Sequence, residues 1–330
     1  MKPLLSRRCV TGFALALGLL GASSLHAQAA WPTKPIRWIV PYPAGGPLDA
    51  IARKVADTVS GQVGQPILIE NRSGAYGTLG ASEVARAKPD GYTFLMSSAD
   101  TYVNAMALLK TPAYDSRKDL TLLTQVAESG AVLMLSGDSP ETTLAQLLAR
   151  AKSNPGKVSY GSWGAGSYTH LLMEGLARQS GAEFLHVPYR GAAPAIQDLL
   201  GKQVMLAFAP ANVASQFAQK GAVKLLAVSG ESRSPLLPSV PTFQEAGYGA
   251  GIFRTRVWLG LAAPAGLPAP IADAMVKEVQ TALGKPEVSK FIADAGFSTI
   301  GNTPAEFRKS FDAEFPLVIK MIQDAGVVAQ

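Results

Sequence analysis

Ile36-Arg37-Trp38-Ile39-Val40-Pro41-Tyr42-Pro43-Ala44-Gly45-Gly46-Pro47-Leu48-Asp49 is the stretch that decides the fold. Its β-branched and aromatic opening predicts a buried strand. A Pro/Gly turn follows, and Leu48, Ile51, Ala52, Val55 and Val59 then recur at helical spacing. Gly45 and Gly46 permit positive φ and leave room for a ligand to approach backbone N–H groups. Those groups are the unpaired donors of a helix's first turn, where the dipole favours an anion. Pro47 suits the first helical position. A single turn of this kind is usually an ordinary capped βα connection, so a second one carries more weight than the first.

Working outward, the alternation of strands and helices is nearly unbroken. Strands are predicted at 66–70, 92–97, 120–128, 131–135, 158–162, 184–188, 204–209, 224–229 and 255–263. Helices are predicted at 78–87, after Tyr102 to about 109, at 139–153, up to 180, and at 192–200 and 212–219. Three more close the chain at 268–283, 286–295 and 303–325, with Pro270, Pro286 and Pro304 near their N-termini. Phe311, Phe315, Val318 and Ile322 repeat at helical spacing and read as core. Repeated βα units predict an α/β fold with mostly parallel sheets and helices on both faces. Ligands on such sheets bind outside the carboxyl ends of the strands. The small-residue turns after Tyr42, Ser97 and Ser162 all lie at such ends.

The first 29 residues read as a cleaved signal peptide, with basic Lys2, Arg7 and Arg8, an apolar run at 10–20 and a small-x-small Ala27-Gln28-Ala29 site. Its apolar run is too short to span a membrane. Cys9, the only cysteine, lies in this leader, so no disulfide or thiol chemistry is expected of the mature chain. The formal charge is +6, and three of the positives belong to the leader. The remainder carries no basic block, which does not suggest nucleic acid. Two histidines without an acidic cluster, His170 and His186, make a poor metal site. Neither a metal nor a cofactor is expected.

Gly161-Ser162-Trp163-Gly164-Ala165-Gly166-Ser167 is the second small-residue turn before a helix, and Ser167 is a good N-cap. Two such turns facing each other across a cleft could hold one carboxylate from both sides. Hydrogen bonds to a charged group contribute about 1.5–3 kcal/mol each. Three or four of them, less association costs, leave roughly micromolar affinity without a cationic side chain. Ser167 and His170 stand at plain helical spacing, and no Gly-x-Ser-x-Gly elbow exists to make a nucleophile. No catalytic residue is assigned.

Pro41 to Asp49, Ile69-Glu70-Asn71-Arg72, Pro89-Asp90-Gly91-Tyr92, Ser162 to Leu171 and His186-Val187-Pro188-Tyr189-Arg190-Gly191 closely resemble the substrate-binding receptors of tripartite tricarboxylate transporters, the Bug receptors. The resemblance covers the whole mature chain. It implies a two-lobed periplasmic binding protein that closes by a hinge on a small carboxylate and delivers it to membrane components of a transporter. Lobe 1 would comprise 30–128 plus 254–330 and lobe 2 129–253, with hinges near 128–131 and 253–257 and a monomeric chain. The resemblance implies carboxylate contacts from Tyr42, Ala44, Gly45 and Gly46 and from Ser162, Gly164, Gly166 and Ser167. It places Ser97, Ser98, Asp100, Thr101 and Tyr102 at the far end of the pocket.

Asp49 and His170 complete the candidate set, although Asp49 also suits helix capping. Trp163 and Arg256 stand where the family usually has small residues, and Ala209 replaces a frequent acid. These departures point to an aromatic or otherwise rigid mono- or dicarboxylate stacked on Trp163 and forked by Arg256, and away from an amino acid. Tyr189 and Arg190 either face the cleft or cap their own lobe. Two rival readings are a secreted α/β hydrolase acting on a small ester or amide, and a sensory receptor with the same site.

Overall fold

The computed structural model describes residues 31–324 except 75, 76 and 250, so the expected leader lies outside the described residues. Strand β1 (Ile36–Val40) buries Ile36, Trp38, Ile39 and Val40 completely. Arg37 points away from that face, where Glu70 accepts from its Nε at 2.6 Å and Glu83 from its Nη2 at 2.7 Å. Helix α1 (Pro47–Val63) lays Ile51, Ala52, Val55, Ala56 and Val59 on the sheet and stops at Gly64 in the left-handed region. The chain continues through β2 (Ile67–Asn71), α2 (Thr78–Ala85), β3 (Thr93–Ser98), a π-helical turn at Asp100–Asn104, α3 (Ala105–Leu108) and β4 (Leu120–Ser129).

After Gly130 it enters a second sheet. Here lie β5 (Ala131–Ser136), α4 (Leu144–Ser153), β6 (Val158–Ser162), α5 (Tyr168–Ser180), β7 (Phe184–Pro188), α6 (Ala192–Leu200), β8 (Leu206–Pro210), α7 (Ala211–Gln219) and β9 (Val223–Val228). A 3₁₀ turn (Gly251–Arg254) leads back to β10 (Val257–Pro264), α8 (Ala269–Leu283), α9 (Pro286–Asp294), β11 (Ser298–Thr299) and α10 (Pro304–Asp324).

The two sheets have orders β11-β4-β10-β3-β1-β2 and β7-β6-β8-β5-β9. β1 lies between parallel neighbours β2 and β3, and β6 between parallel neighbours β7 and β8. Both glycine turns therefore leave the carboxyl end of a parallel-flanked strand, where a crevice opens. The sheets are more mixed than repeated βα units imply. β10 runs antiparallel to β3 and β4, and β5 antiparallel to β8 and β9. The strands that carry the chain between the sheets enter from the opposite direction, and antiparallel pairing follows.

The passages between sheets are tight. A Cβ on Gly130 would lie 2.6 Å from the Ser229 carbonyl oxygen. Ser229 N–H donates to Ala131 O at 3.1 Å and Gly230 N–H to Phe253 O at 2.8 Å. α10 buries Phe307, Phe311, Phe315, Val318 and Ile322, so the stripe read from the sequence is core. α4 starts five residues later than predicted because Thr143 caps it, accepting from Gln146 N–H, while Gln146 Oε1 takes Thr142 N–H. Tyr102, expected in the pocket, is fully buried, donates to Leu95 O and Gly260 O, and packs 5.4 Å from the Trp258 ring.

Candidate functional site

Gly45 at φ +87° turns the chain sharply after Tyr42. What fixes the turn is Asp49, only 4 % exposed. Its Oδ2 accepts from Gly45 N–H and Arg53 Nε, each at 3.0 Å, and its Oδ1 from Asn71 Nδ2 at 2.9 Å. Burial works against the charge, but Arg53, the Gly45 N–H and Asn71 outweigh it and hold the carboxyl below its ordinary value. Asp49 is thus the bracket of the turn and is not a ligand contact, because both its oxygens are taken. Ala44, Gly46 and Leu48 N–H have no partner among the described residues. These are the donors the turn offers, at an exposed lip rather than in the cavity wall.

Ser98 Oγ and Thr101 Oγ1 lie 2.9 and 2.8 Å from Tyr42 Oη. Burial first, and then Asp100, push that phenol up to about 12. Ser97, Ser98 and Thr101 are all buried. They were expected to line the pocket; Ser98 and Thr101 instead hold Tyr42 from behind, and Ser97 is enclosed in β3.

The π-helical turn brings Asp100 and Asn104 into the cavity wall. Its carbonyls at Thr101 and Tyr102 are taken by the hydroxyls of Tyr114 and Ser116, each at 2.6 Å. A π turn stabilised in this way is a frequent mark of a functional site. Asn104 Nδ2 donates to Asp100 Oδ1 at 2.7 Å and to Gly166 O at 3.0 Å, joining the two sheets' halves.

The second glycine turn is braced by two histidines. His170 Nδ1 accepts from Gly166 N–H at 2.8 Å, so its proton sits on Nε2, which faces Glu174 at 3.5 Å. Its ring stacks on His186 at 3.9 Å. Burial, and then His170, push His186 down to about 4. His170 therefore supports the loop from below rather than touching a ligand. Ser162, fully buried, donates to Gly164 O at 3.0 Å and lies 2.7 Å from His186 Nε2, so it too is behind the wall.

Trp163, Gly164, Ala165, Gly166 and Ser167 do line the cavity, which encloses about 700 Å³ between the two glycine turns. Trp163 Nε1 donates to Phe208 O at 3.1 Å, fixing its ring in the wall. Gly166 at φ +72° sits where a Cβ would lie 2.3 Å from Leu108 Cδ2, so the halves meet with no space for a side chain.

Tyr189 and Arg190 line the cavity, and Tyr189 is at the same time tied to α6 of its own sheet. Tyr189 donates to Asp198 at 2.6 Å, while exposed Arg190 has no ion pair among the described residues. Arg256 is not there. Its Nη2 donates to Ser232 O and Oγ at 3.0 and 3.1 Å, in a separate cavity of about 640 Å³ beside the passages between the sheets. It packs against Gly230, where a Cβ would come within 2.5 Å of its Nε.

The profile of the tripartite tricarboxylate transporter family receptor matches residues 51–326. The chain belongs to that family. It is therefore a solute-binding receptor by descent. Three solved structures resemble it across almost their whole length. The periplasmic binding protein BugD is 34 % identical, with a TM-score of 0.79 over 91 % of this chain and 100 % of that one. Rpa4515 of R. palustris with adipate is 31 % identical, with a TM-score of 0.81 over 90 % and 98 %. MatC of Rhodopseudomonas palustris with bound malate is 30 % identical, with a TM-score of 0.78 over 88 % and 99 %.

Proposed function

We propose that this receptor works in the periplasm, closes two lobes on one small carboxylate, and hands it to the membrane components of a tripartite transporter. The observation that carries the reading is the cavity between the turns after β1 and β6, which belong to different sheets. Lobe 1 is assigned to 30–128 plus 254–330 and lobe 2 to 129–253, so the passages at 128–131 and 253–257 are the hinge. The lip donors on Ala44, Gly46 and Leu48 are offered to the carboxylate from the lobe 1 side. Ala165 N–H, with no partner among the described residues, meets it from the other lobe. The Trp163 ring, fixed in the wall, supplies a flat apolar face, which favours an aromatic or rigid ligand body. Adipate and malate in the two neighbours are small carboxylates, the broad class proposed here.

The hydrolase reading finds no support in the two Ser–His contacts. Ser167 caps α5 by accepting His170 N–H, and His170 Nδ1 is already engaged by Gly166. The test is a calorimetric titration of the mature protein, unfolded and refolded to remove carried-over ligand, against acids and their matching amides. Saturable one-to-one binding of an acid, absent with its amide, is expected. Equal binding of both, or slow heat from turnover, would overturn it.

A further inference from the structure

Among the residues lining the cleft cavity, only Asp100 and Arg190 carry ionic side chains. Arg190 is exposed. Asp100 instead sits at the junction of the lobes, on the π-helical turn, where its Oδ1 accepts the amide of Asn104 at 2.7 Å and the backbone N–H of Tyr168 favours its charge. Tyr168 is the first residue of α5, directly after its cap Ser167. A carboxylate of the protein itself therefore already faces the positive end of α5. Asn104 Nδ2 also donates to Gly166 O, so the amide that holds Asp100 is itself anchored to the second turn.

A ligand group that reaches this end of the cavity meets a fixed negative charge and a helix terminus whose attraction for anions is partly spent. We propose that Asp100 sets the ligand class: one carboxylate at the lobe 1 turn and a hydroxyl or ammonium, not a second carboxylate, at the α5 terminus. This rests on the carboxylate-receptor reading above. It assigns a selecting role to a side chain that contacts the ligand's far end.

The groups facing Asp100 are Tyr42 from the first turn, Tyr168 from α5 and Glu314 from α10. Burial pushes Glu314 up to about 7, with Asp100's charge contributing. Burial also pushes Asp100 up to about 6, against the Tyr168 N–H that favours its charge. Below that pH it gains a proton and becomes a donor, so its rejection of a second carboxylate should fade.

The test is calorimetry with benzoate, 4-hydroxybenzoate and benzene-1,4-dicarboxylate, and with hexanoate, 6-hydroxyhexanoate and hexanedioate. The refolded wild type, Asp100→Asn and Glu314→Gln would each be titrated near pH 7.5 and near pH 5.5. Asparagine is isosteric and keeps one acceptor oxygen, for Asn104 Nδ2, while removing the charge. The wild type near pH 7.5 should prefer the hydroxy acid to the diacid by roughly tenfold or more. That ratio should collapse in Asp100→Asn, collapse in the wild type near pH 5.5, and persist near pH 7.5 in Glu314→Gln. A wild type that binds the diacid as tightly as the hydroxy acid, or a ratio unmoved by Asp100→Asn, overturns the inference. So does an unchanged ratio in the wild type between the two pH values, which needs no variant to fold. Silence of all six acids overturns the carboxylate reading beneath it.

Discussion

Gly166→Ala should separate closure from folding. Gly166 holds φ +72°, and an added Cβ would lie 2.3, 2.7 and 3.0 Å from Leu108 Cδ2, Cδ1 and Cγ. The left-handed backbone costs alanine about 1–2 kcal/mol whether the cleft is open or shut. The clash exists only when α3 of lobe 1 meets the second turn of lobe 2, and overpacking of this kind costs about 1–3 kcal/mol. Melting temperature should therefore report mostly the first term and ligand affinity the second. Affinity for the best carboxylate should fall about 5- to 150-fold, because about 1.4 kcal/mol is a factor of ten. Leu108→Ala removes the three clashing atoms, so Gly166→Ala added to it should lose far less affinity than Gly166→Ala alone. Calorimetry on all four proteins of the cycle reads this directly. Unchanged affinity in Gly166→Ala, or equal losses with and without Leu108, would refute closure by contact of these two residues.

Three further outcomes follow from the bracing of the site. Asp49→Asn should destabilise the chain by about 1–3 kcal/mol by loosening Gly45, Arg53 and Asn71, and urea unfolding measures it. Because the Asp49 carboxyl is held below the ordinary carboxylate value, its contribution is full above that value and is lost as pH falls through the folded one. His186, held down to about 4 from 6.5, must stay neutral in the folded chain. Stability should fall as pH drops from about 6.5 to about 4, by at most ~3 kcal/mol, and His186→Gln should flatten that limb of a denaturation–pH curve. Trp163→Ala should weaken aromatic acids more than aliphatic ones, by about 0.5–1.5 kcal/mol beyond lost area. Arg256→Ala, by contrast, should leave carboxylate affinity within about twofold, since its guanidinium sits on Ser232. Calorimetry of both variants on one aromatic and one aliphatic acid checks the pair.

Much of this was legible in the chain. The run from Ile36 to Asp49 announces strand, turn and helix, and Ser167 caps α5 as its position demands. The second turn reaches the cavity wall from Trp163 to Ser167. What the sequence could not convey was side-chain direction at positions set by distant neighbours. Asp49 turned inward because Asn71, 22 residues later, arrives beside it at the end of β2. His170 and His186 stack because β7 lies next to β6, placing one ring under the other. Arg256 follows Gly230 and Ser232 out to the hinge rather than into the cleft. Asn104 was missed because a π turn shifts the helical phase by one residue, and no periodicity read from the sequence anticipates it. Arg190 carried a signal, a cation before Gly191 at φ +108°, but not the direction it faces.

The central claim, closure of two lobes on one carboxylate, is tested most directly by a distance. Spin labels on Leu68→Cys in β2 and Leu185→Cys in β7 sit on exposed edge strands of the two sheets, at 49 % and 53 % exposure. The only native cysteine is Cys9. Pulsed electron resonance on stripped protein should show the label distance shift to one narrow distribution when a binding acid is added, and not with its amide. A distribution that stays unchanged while calorimetry registers one-to-one binding of the acid would contradict the account.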